Sequence, residues 1–144
     1  MRTLIEPSGS DAAQAEESVR AHLLDITHQL LHAIHTGDTD TYVRLCAPEL
    51  TCFEELAPYR IDGLDFHITM IKGMAANPGL APARFDMVTP HVQIYGDAAV
   101  VTYTRLMSYF DNGFPRTTTA NETRIFINQA GAWRMVHFHR SPTR

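Results

Sequence analysis

The chain has 144 residues, a formal net charge of −4, 44% apolar residues and 19% charged residues. A chain of this length usually forms one domain that buries about 70% of its unfolded surface, so it needs no metal or disulfide to hold a core. The negative charge disfavours nucleic acid as a partner, and no apolar run approaches the ~20 residues of a membrane span. We therefore expect a globular protein that binds neither nucleic acid nor membrane.

The N-terminal residues and the two cysteines indicate the cellular compartment of the protein. Residues 1–15 combine acids with proline, serine and glycine and predict a flexible tail that is neither a secretory signal nor a basic transit peptide. The single domain is then expected to cover residues 16–144. Cys46 and Cys52 have no metal motif around them and are expected as reduced thiols in the cytoplasm, with a disulfide between them as the alternative.

Three helices are predicted in the first half of the chain. Apolar residues recur at steps of three and four along Glu16–Thr36, which predicts a helix that stops at Gly37. A shorter helix follows with Asp38 or Thr39 as its N-cap, and a third begins near residues 62–65 with Asp62 as its N-cap.

The second half of the chain predicts a β-sheet. A short strand is expected at Leu50–Glu54, and long strands are expected at 83–95, 98–110, 116–128 and 132–140, separated by glycine-containing turns. Helices followed by a meander of antiparallel strands are typical of an α+β fold with the helices packed on one face of a curved sheet.

Two arginines interrupt apolar strand faces. Because side chains alternate along a strand, Arg105 shares a face with Tyr103, and Arg140 shares a face with Phe138. A buried guanidinium stays charged and loses solvation that an anion or several acceptors must replace. The pattern indicates either internal salt bridges or a cavity that receives a small anion.

The last strand carries apolar side chains on both faces. Phe138 lies on one face, and Trp133 lies on the other together with His137 and His139. An antiparallel sheet with one wet face should alternate more cleanly, so one face is expected to cover the helices and the other to meet a second copy. This favours a homo-oligomer, at least a dimer, with the two histidines in the subunit interface.

Three histidines on the first helix suggest a metal site at first sight. His28, His32 and His35 are spaced i, i+4, i+7, and two histidines at i, i+4 can ligate zinc. Helical geometry places all three opposite the apolar stripe, so we expect a solvated face and no metal. No phosphate-binding loop or other cofactor motif is present in the sequence, and no cofactor is expected.

Several ordered motifs resemble the association (hub) domain of calcium/calmodulin-dependent protein kinase II over residues 16–142. They are Thr41-Tyr42, Leu50-Thr51, Phe53-Glu54, Gly63-Leu64-Asp65-Phe66-His67, Arg105-Leu106, Glu122-Thr123-Arg124 and Val136-His137-Phe138-His139-Arg140-Ser141. That domain is similar to the nuclear transport factor 2-like proteins, which include ketosteroid isomerase and polyketide-cyclase-like proteins. The resemblance implies a cone-shaped, cystatin-like fold whose N-terminal helices pack on the concave face of the sheet, and it implies self-assembly.

The resemblance also implies a ligand-binding cavity. Carried over by motif position, its lining falls on Tyr42, His67, Arg105, Arg124 and Arg140. Strand parity places Arg124 beside Val136 and on the Arg140 side if the turn at 129–131 has three residues. Bringing Arg105 to the same side is expected to require a six-residue loop at 110–115 or a bulge. Three converging guanidiniums would bind a small carboxylate-type anion.

Three alternatives stay open at this point. Glu54 or Glu122 could neutralise the arginines as internal salt bridges. The cavity could instead belong to an isomerase, dehydratase or cyclase that uses His67 or Glu54 as its base, although arginines close by weaken a base. Assembly could stop at a dimer or continue to a ring. Nothing in the sequence resembles a kinase domain, so no kinase activity is expected of this chain.

Overall fold

The computed structural model describes residue 5, residues 8–77, residue 79 and residues 82–143. Three helices precede most of the sheet. Their bounds and those of the strands are α1 Gly9–Thr36, α2 Thr39–Leu45, β1 Cys46–Phe53, β2 Ile61–Asp62, α3 Asp65–Ala76, β3 Arg84–Tyr95, β4 Ala98–Asp111, β5 Phe114–Gln129 and β6 Ala132–Pro142.

Helix α1 is longer than its apolar stripe. Its N-cap is Ser8, whose hydroxyl accepts from the Asp11 amide, and the helix therefore begins at Gly9 and not at Glu16 as predicted. The first turns are exposed and lie beyond the buried part of the helix. The rest of the predicted tail, residues 1–4 and 6–7, lies outside the described residues. Gly37 ends the helix at φ 78°, as predicted.

The other two helices differ in how they are capped. Asp38 caps α2, since its carboxylate accepts from the Thr41 amide at 3.1 Å. The prediction that Asp62 caps α3 is wrong. Asp62 ends the short strand β2 and pairs with Arg60 at 2.7 Å, and Leu64 occupies the cap position of α3 without a side-chain hydrogen bond.

The described strands form one sheet in the order β2-β1-β6-β5-β4-β3. All neighbours are antiparallel except β1 and β6, which are parallel. Strand β3 is an edge, and its pairing with β4 is interrupted between Val88 and His91, where Thr89 has a φ of 48° and Pro90 has no amide to donate. Strand β1 begins at Cys46, earlier than the predicted start at Leu50.

The core lies between the helices and one face of the sheet. Leu23, Leu30 and Leu31 of α1 are fully buried, and they belong to one cluster with Val101 of β4 and Phe126 of β5. This is the expected α+β architecture, with the N-terminal helices on the concave face of a curved sheet. Both cysteines are buried and free, so the alternative of a disulfide is wrong.

Among the residues that the structure describes, none of the helices combines the length and apolar character that crossing a bilayer requires.

Candidate functional site: an arginine-lined cavity

Strand register brings three arginines to the helix-covered face. In antiparallel pairs, directly opposed residues point to the same side of the sheet. Arg124 of β5 is opposite Val101 of β4, and Glu122 of β5 is opposite both Tyr103 of β4 and Arg140 of β6. Since Arg105 lies two residues beyond Tyr103, the guanidiniums of β4, β5 and β6 converge around Glu122.

A two-residue turn sets the register of β4 and β5. Asp111 pairs with Phe114, and the turn residues Asn112 and Gly113 have φ values of 50° and 79°. Positive φ at both positions is what an Asn-Gly hairpin turn adopts, and it matches the twist of the flanking strands. The expectation of a six-residue loop or a bulge is therefore wrong, because this turn already places Arg105 and Arg124 on one face.

A bulge sets the register of β5 and β6. The turn between them also has two residues, not three, since Gln129 pairs with Ala132. The pairing then shifts between Ile125 and Phe126, so that Val136 on β6 is the extra residue. The bulge places Arg124 opposite Phe138 and not beside Val136, although it keeps Arg124 on the Arg140 side, as expected.

The same bulge changes which face the β6 side chains occupy. Trp133 and Met135 are buried on the helix-covered face together with Phe138, and not opposite it as predicted. His137 and His139 lie on the outer face, where both rings contact the ring of Phe53. The prediction that these histidines share a face with Trp133 is therefore wrong.

Glu122 is the centre of the arginine cluster. It is 2% exposed, and its two carboxylate oxygens lie 2.8 Å from Arg105 Nε, 2.9 Å from Arg124 Nη2 and 3.8 Å from Arg140 Nε. The Tyr103 hydroxyl donates to the same carboxylate at 2.7 Å and accepts from Arg124 Nε at 2.7 Å. One buried carboxylate is thus shared by three guanidiniums.

The electrostatics of the cluster keep Glu122 ionised. Burial alone would raise the pKa of Glu122, but the charges of Arg124 and Arg105 outweigh it and hold that pKa below its ordinary value. Burial lowers the pKa of Arg105, and burial raises the pKa of Tyr103, which therefore keeps its proton for the hydrogen bond to Glu122.

Two guanidinium N–H groups remain without a well-directed acceptor. Among the described residues, neither Arg105 Nε nor Arg140 Nε has a hydrogen-bond partner of good geometry, although each lies within ion-pair distance of Glu122. Arg140 has a second acid contact, Glu55 at 3.3 Å, at the rim, where the Glu55 side chain is 38% exposed. The alternative of internal neutralisation by Glu54 or Glu122 is met in part: Glu122 lies within ion-pair distance of all three arginines, whereas the described ion pair of Glu54 is with His67.

A cavity of about 390 Å³ adjoins these arginines. Arg105, Arg124 and Arg140 form its charged wall with Glu54 and Glu122. The rest of the lining is mostly apolar, with methionines from α3 and β4. Besides the five charged residues, the lining comprises Ile34, His35, Leu56, Met70, Met74, Pro82, Met107, Tyr109 and Phe138.

His67 and Tyr42 lie behind this cavity and not in its wall. His67 is buried, and its Nε2 lies 3.2 Å from the Glu54 carboxylate, which does line the cavity. Tyr42 is fully buried, with its ring centroid 6.0 Å from that of His67. Of the residues implied by the resemblance, the structure therefore brings the three arginines together, and it places His67 against Glu54, which lines the same cavity.

Cys52 does not form a nucleophile with His67 and Glu54. Its sulfur lies 3.7 Å from His67 Nε2, which is the same nitrogen that contacts Glu54, so the ring cannot relay a proton between them. Burial also raises the pKa of Cys52 to about 12, which keeps the thiol protonated. Over the described part of the chain, no three His, Cys, Asp or Glu side chains are grouped closely enough to hold a metal ion.

His35 is a cavity residue that sequence reasoning missed. His28 and His32 are exposed, as expected for a solvated face, but His35 is half-buried and lines the cavity. Its ring meets the Phe85 ring edge-on at 4.6 Å. Burial and the charge of Arg105 lower the pKa of His35 to about 4, so the ring is neutral at neutral pH.

The three helices and the curved six-stranded sheet, with the cavity between them, have the cystatin-like fold of the nuclear transport factor 2-like proteins. An NTF2-like protein with a cystatin-like fold from Novosphingobium aromaticivorans superposes with a TM-score of 0.80 over 97% of this chain and 92% of its own, at 12% identity. At that identity the likeness shows the fold alone.

The chain belongs to the family of the calcium/calmodulin-dependent protein kinase II (CaMKII) association domain, whose model matches residues 19–144. The delta subunit of calcium/calmodulin-dependent protein kinase type II from Oryctolagus cuniculus is 37% identical over 92% of this chain, and the match spans 26% of that relative. Two solved structures are also similar. The association domain of C. elegans CaMKII is 34% identical with a TM-score of 0.79, covering 88% of this chain and 98% of its own. The Chlamydomonas reinhardtii CaMKII hub homology domain is 39% identical with a TM-score of 0.78, covering 88% and 99%.

Proposed function

We propose that this chain is a self-assembling module, at least a dimer, whose cavity binds a small carboxylate that carries an apolar body. The assembly follows from the family, since relatives of known structure are described as association domains and hubs. The ligand follows from the cavity. The single observation that carries it is that three buried or half-buried guanidiniums share one buried carboxylate beside open space of about 390 Å³.

The outer face of the sheet supports self-assembly. The helices cover one face, while the other carries partly exposed apolar side chains such as Val100, Leu106 and Ile125. Phe53 is 44% exposed there, between His137 and His139. A second copy that covers this face would bury these side chains, which a monomer leaves in water.

The unpaired N–H groups support an anionic guest. The Nε groups of Arg105 and Arg140 are buried donors without a well-directed acceptor in the described protein, so two guanidiniums that line the cavity are only partly satisfied, and a carboxylate in the cavity would accept from the N–H groups that they present there. Burying a guanidinium N–H group without an acceptor destabilises the empty site. A guest that supplies the missing acceptor removes this cost and therefore binds more tightly. A planar carboxylate has the two oxygens that such a pair needs.

The apolar part of the lining supports a guest that is more than an inorganic anion. Met70 and Met74 of α3 face Met107 of β4 and Phe138 of β6 across the cavity. Methionine adapts to irregular apolar shapes, and a volume of this size fits a small organic molecule. An alkyl or aryl chain attached to the carboxylate would fill this half, whereas phosphate or acetate would leave it to water.

Thermal unfolding tests the ligand. Phenylbutanoate, its neutral amide and acetate are compared over a concentration series. A ligand at about a hundred times its Kd adds about 2.7 kcal/mol of stability, which for a chain of this size raises the midpoint by roughly 5 to 10 °C. We expect the gain with phenylbutanoate, a smaller one with acetate at equal concentration, and none with the amide.

Arginine variants locate the ligand. Arg124→Ala should abolish the gain, and Arg140→Ala, at a position nearer the rim, should reduce it with less damage to the core. Arg134→Ala removes an exposed arginine of the same strand as Arg140 and is the matched control. Equal gains in all three variants would show that the carboxylate binds elsewhere.

Light scattering on the unmodified protein tests assembly, and a monomer mass would contradict it.

One observation favours a second function, proton transfer at carbon. The Glu54 carboxylate lines the cavity, and one of its oxygens lies 3.2 Å from His67 Nε2. Its other oxygen is buried and has no hydrogen-bond partner among the described residues. In this function a rotation of the Glu54 side chain turns one carboxylate oxygen toward the cavity, where it takes a proton from the carbon next to a carbonyl while the arginines stabilise the enolate oxygen. Incubation of carbonyl compounds in D₂O would then show deuterium uptake that Glu54→Gln abolishes. If deuterium exchange does not exceed the rate in buffer, the second function is contradicted and only the binding function remains.

The cellular location and the partners also belong to this proposal. The two free buried cysteines suit a reducing compartment such as the cytoplasm. The chain spans about a quarter of the length of the curated relative, so the kinase activity of that relative is not part of the proposal.

A further inference from the structure

His35 occupies a position that the anion-binding residues do not explain. It comes from the last turns of α1, whereas the arginines come from the sheet, and it closes the cavity on the helix side. Its ring is held by the edge-on contact with Phe85 at 4.6 Å. Within the described chain no side chain or backbone group hydrogen-bonds to this ring, so its nitrogens are available to a guest.

We propose that His35 contacts the bound anion and that the guest enters together with a proton, which this imidazole takes up. This inference rests on the proposed function, because it concerns the anion that the arginine cavity holds. It adds a contact that no arginine supplies: a group that is neutral while the cavity is empty and becomes a charged donor only when the guest has arrived.

The charged groups around His35 come from strands of the sheet and from its own helix, α1. Arg105 on β4 and Arg140 on β6 disfavour a charged imidazole, and His32 on the same helix adds to this, while Glu122 on β5 favours it. Arg124 on β5 and Glu54 after β1 complete the charged lining. Strand β3 contributes Phe85, and α3 contributes Met70 and Met74, none of which carries a charge.

A bound carboxylate reverses the main electrostatic cause. It compensates Arg105 and Arg140, and it lies beside the ring as an opposite charge, so both effects favour the imidazolium. Burial, the largest cause of the low pKa, stays in place when a guest is bound, so the pKa of His35 rises from about 4 by as much as these changes of charge supply. A group whose pKa rises on binding takes up a proton between the two values, so affinity must increase as pH falls through that window.

The size of the effect follows from the two pKa values. If the bound pKa reaches 6.5, linkage makes the affinity roughly 25-fold higher at about pH 5 than at about pH 7.5. A carboxylate probe begins to lose its own charge near the lower end. A sulfonate with the same phenylalkyl body stays ionised throughout and therefore isolates the histidine.

Calorimetry measures the proton directly. Phenylbutanoate and phenylpropanesulfonate are titrated into the full chain at about pH 5.5 in two buffers of different ionisation enthalpy, and the difference in heat gives the protons bound. We expect a fraction of one proton taken up with either probe. His35→Gln should bind with no uptake and lose the rise in affinity toward low pH, and His35→Asn is the second variant in case the first is unstable. His22→Gln, an exposed histidine of the same helix, is the matched control and should behave as wild type.

The outcomes separate the two proposals. Binding with no proton uptake, or uptake that persists in both His35 variants, overturns the role of His35 and leaves the anion-binding cavity standing. No binding of either probe at any pH overturns the cavity function and this inference with it. Uptake in wild type and in His22→Gln that is lost in the His35 variants supports both.

Discussion

The replacement of Glu122 by glutamine tests whether one carboxylate holds the arginine cluster together. Glu122→Gln keeps the shape of the side chain but removes the charge that three guanidiniums share at 2.8, 2.9 and 3.8 Å. It also presents an amide donor to neighbours that are themselves donors. Removing one partner of a buried ion pair costs about 3 to 5 kcal/mol, because uncompensated charge remains in the core.

Chemical denaturation measures this loss. We expect the free energy of unfolding of Glu122→Gln to fall by about 3 to 5 kcal/mol at neutral pH and low salt, and to recover in part when acetate is added, because acetate can occupy the place of the missing charge. Glu55→Gln is the matched control. It removes the acid that pairs with Arg140 at the rim, where the Glu55 side chain is 38% exposed, so the loss there should stay below about 1 kcal/mol.

The pH dependence of the difference carries a sign. The arginines hold the pKa of Glu122 below its ordinary value of 4.5 in the folded protein. The stabilisation by Glu122 is therefore fully present above 4.5 and is lost as pH falls through the lowered folded pKa. The wild type and Glu122→Gln should converge only in that acidic range. A variant as stable as the wild type at neutral pH, or a difference that grows toward acid, would refute the view that Glu122 holds the cluster.

Three further changes have expected outcomes. Gly37→Ala places a Cβ at φ 78° and 2.5 Å from the Ala75 Cβ, so we expect a loss of about 1 to 3 kcal/mol in denaturant unfolding. The control Gly73→Ala adds a Cβ in open space within α3 and should be neutral or stabilise by up to about 1 kcal/mol. Asp38→Ala removes the N-cap of α2 and should cost about 1 kcal/mol, whereas Asp40→Ala in the same turn should cost less. The pKa of His35 is about 4 in the folded protein and 6.5 in the unfolded chain, so stability falls as pH is lowered from 6.5 to 4, and His35→Gln should flatten that slope in urea titrations.

The sequence predicts the fold well because its signals are local. The α1 stripe, the stop at Gly37 and the hairpin turn at Gly96-Asp97 each follow from spacing or turn chemistry, and each lies where predicted. The sequence also contains a local signal that places Arg105 and Arg124 on the same face of the sheet. Asn112-Gly113 is a strong two-residue hairpin signal, and a two-residue turn there places Arg105 and Arg124 on one face without the six-residue loop or bulge that was expected.

Two features of the site could not be derived from local patterns. The bulge at Val136 shifts the register by one residue, and nothing in the alternation of β6 indicates where the extra residue falls. His35 is opposite the apolar stripe on a helical wheel, but the sheet curves around the end of α1 and brings Phe85 to it. A helix that is covered on more than one side buries a wider arc than its stripe predicts, as Thr27 and Leu31 also show.

The interruption at Thr89 and Pro90 has a consequence for how copies of this chain can meet. A long edge strand with a continuous row of free backbone groups invites another sheet to add on, and repeated addition produces an open-ended filament. In β3 the row breaks near its middle, where Thr89 turns the backbone and Pro90 donates nothing. The addition of another sheet to the β3 edge is therefore disfavoured. Contact between copies then falls to the outer face of the sheet, through which an assembly can close on itself.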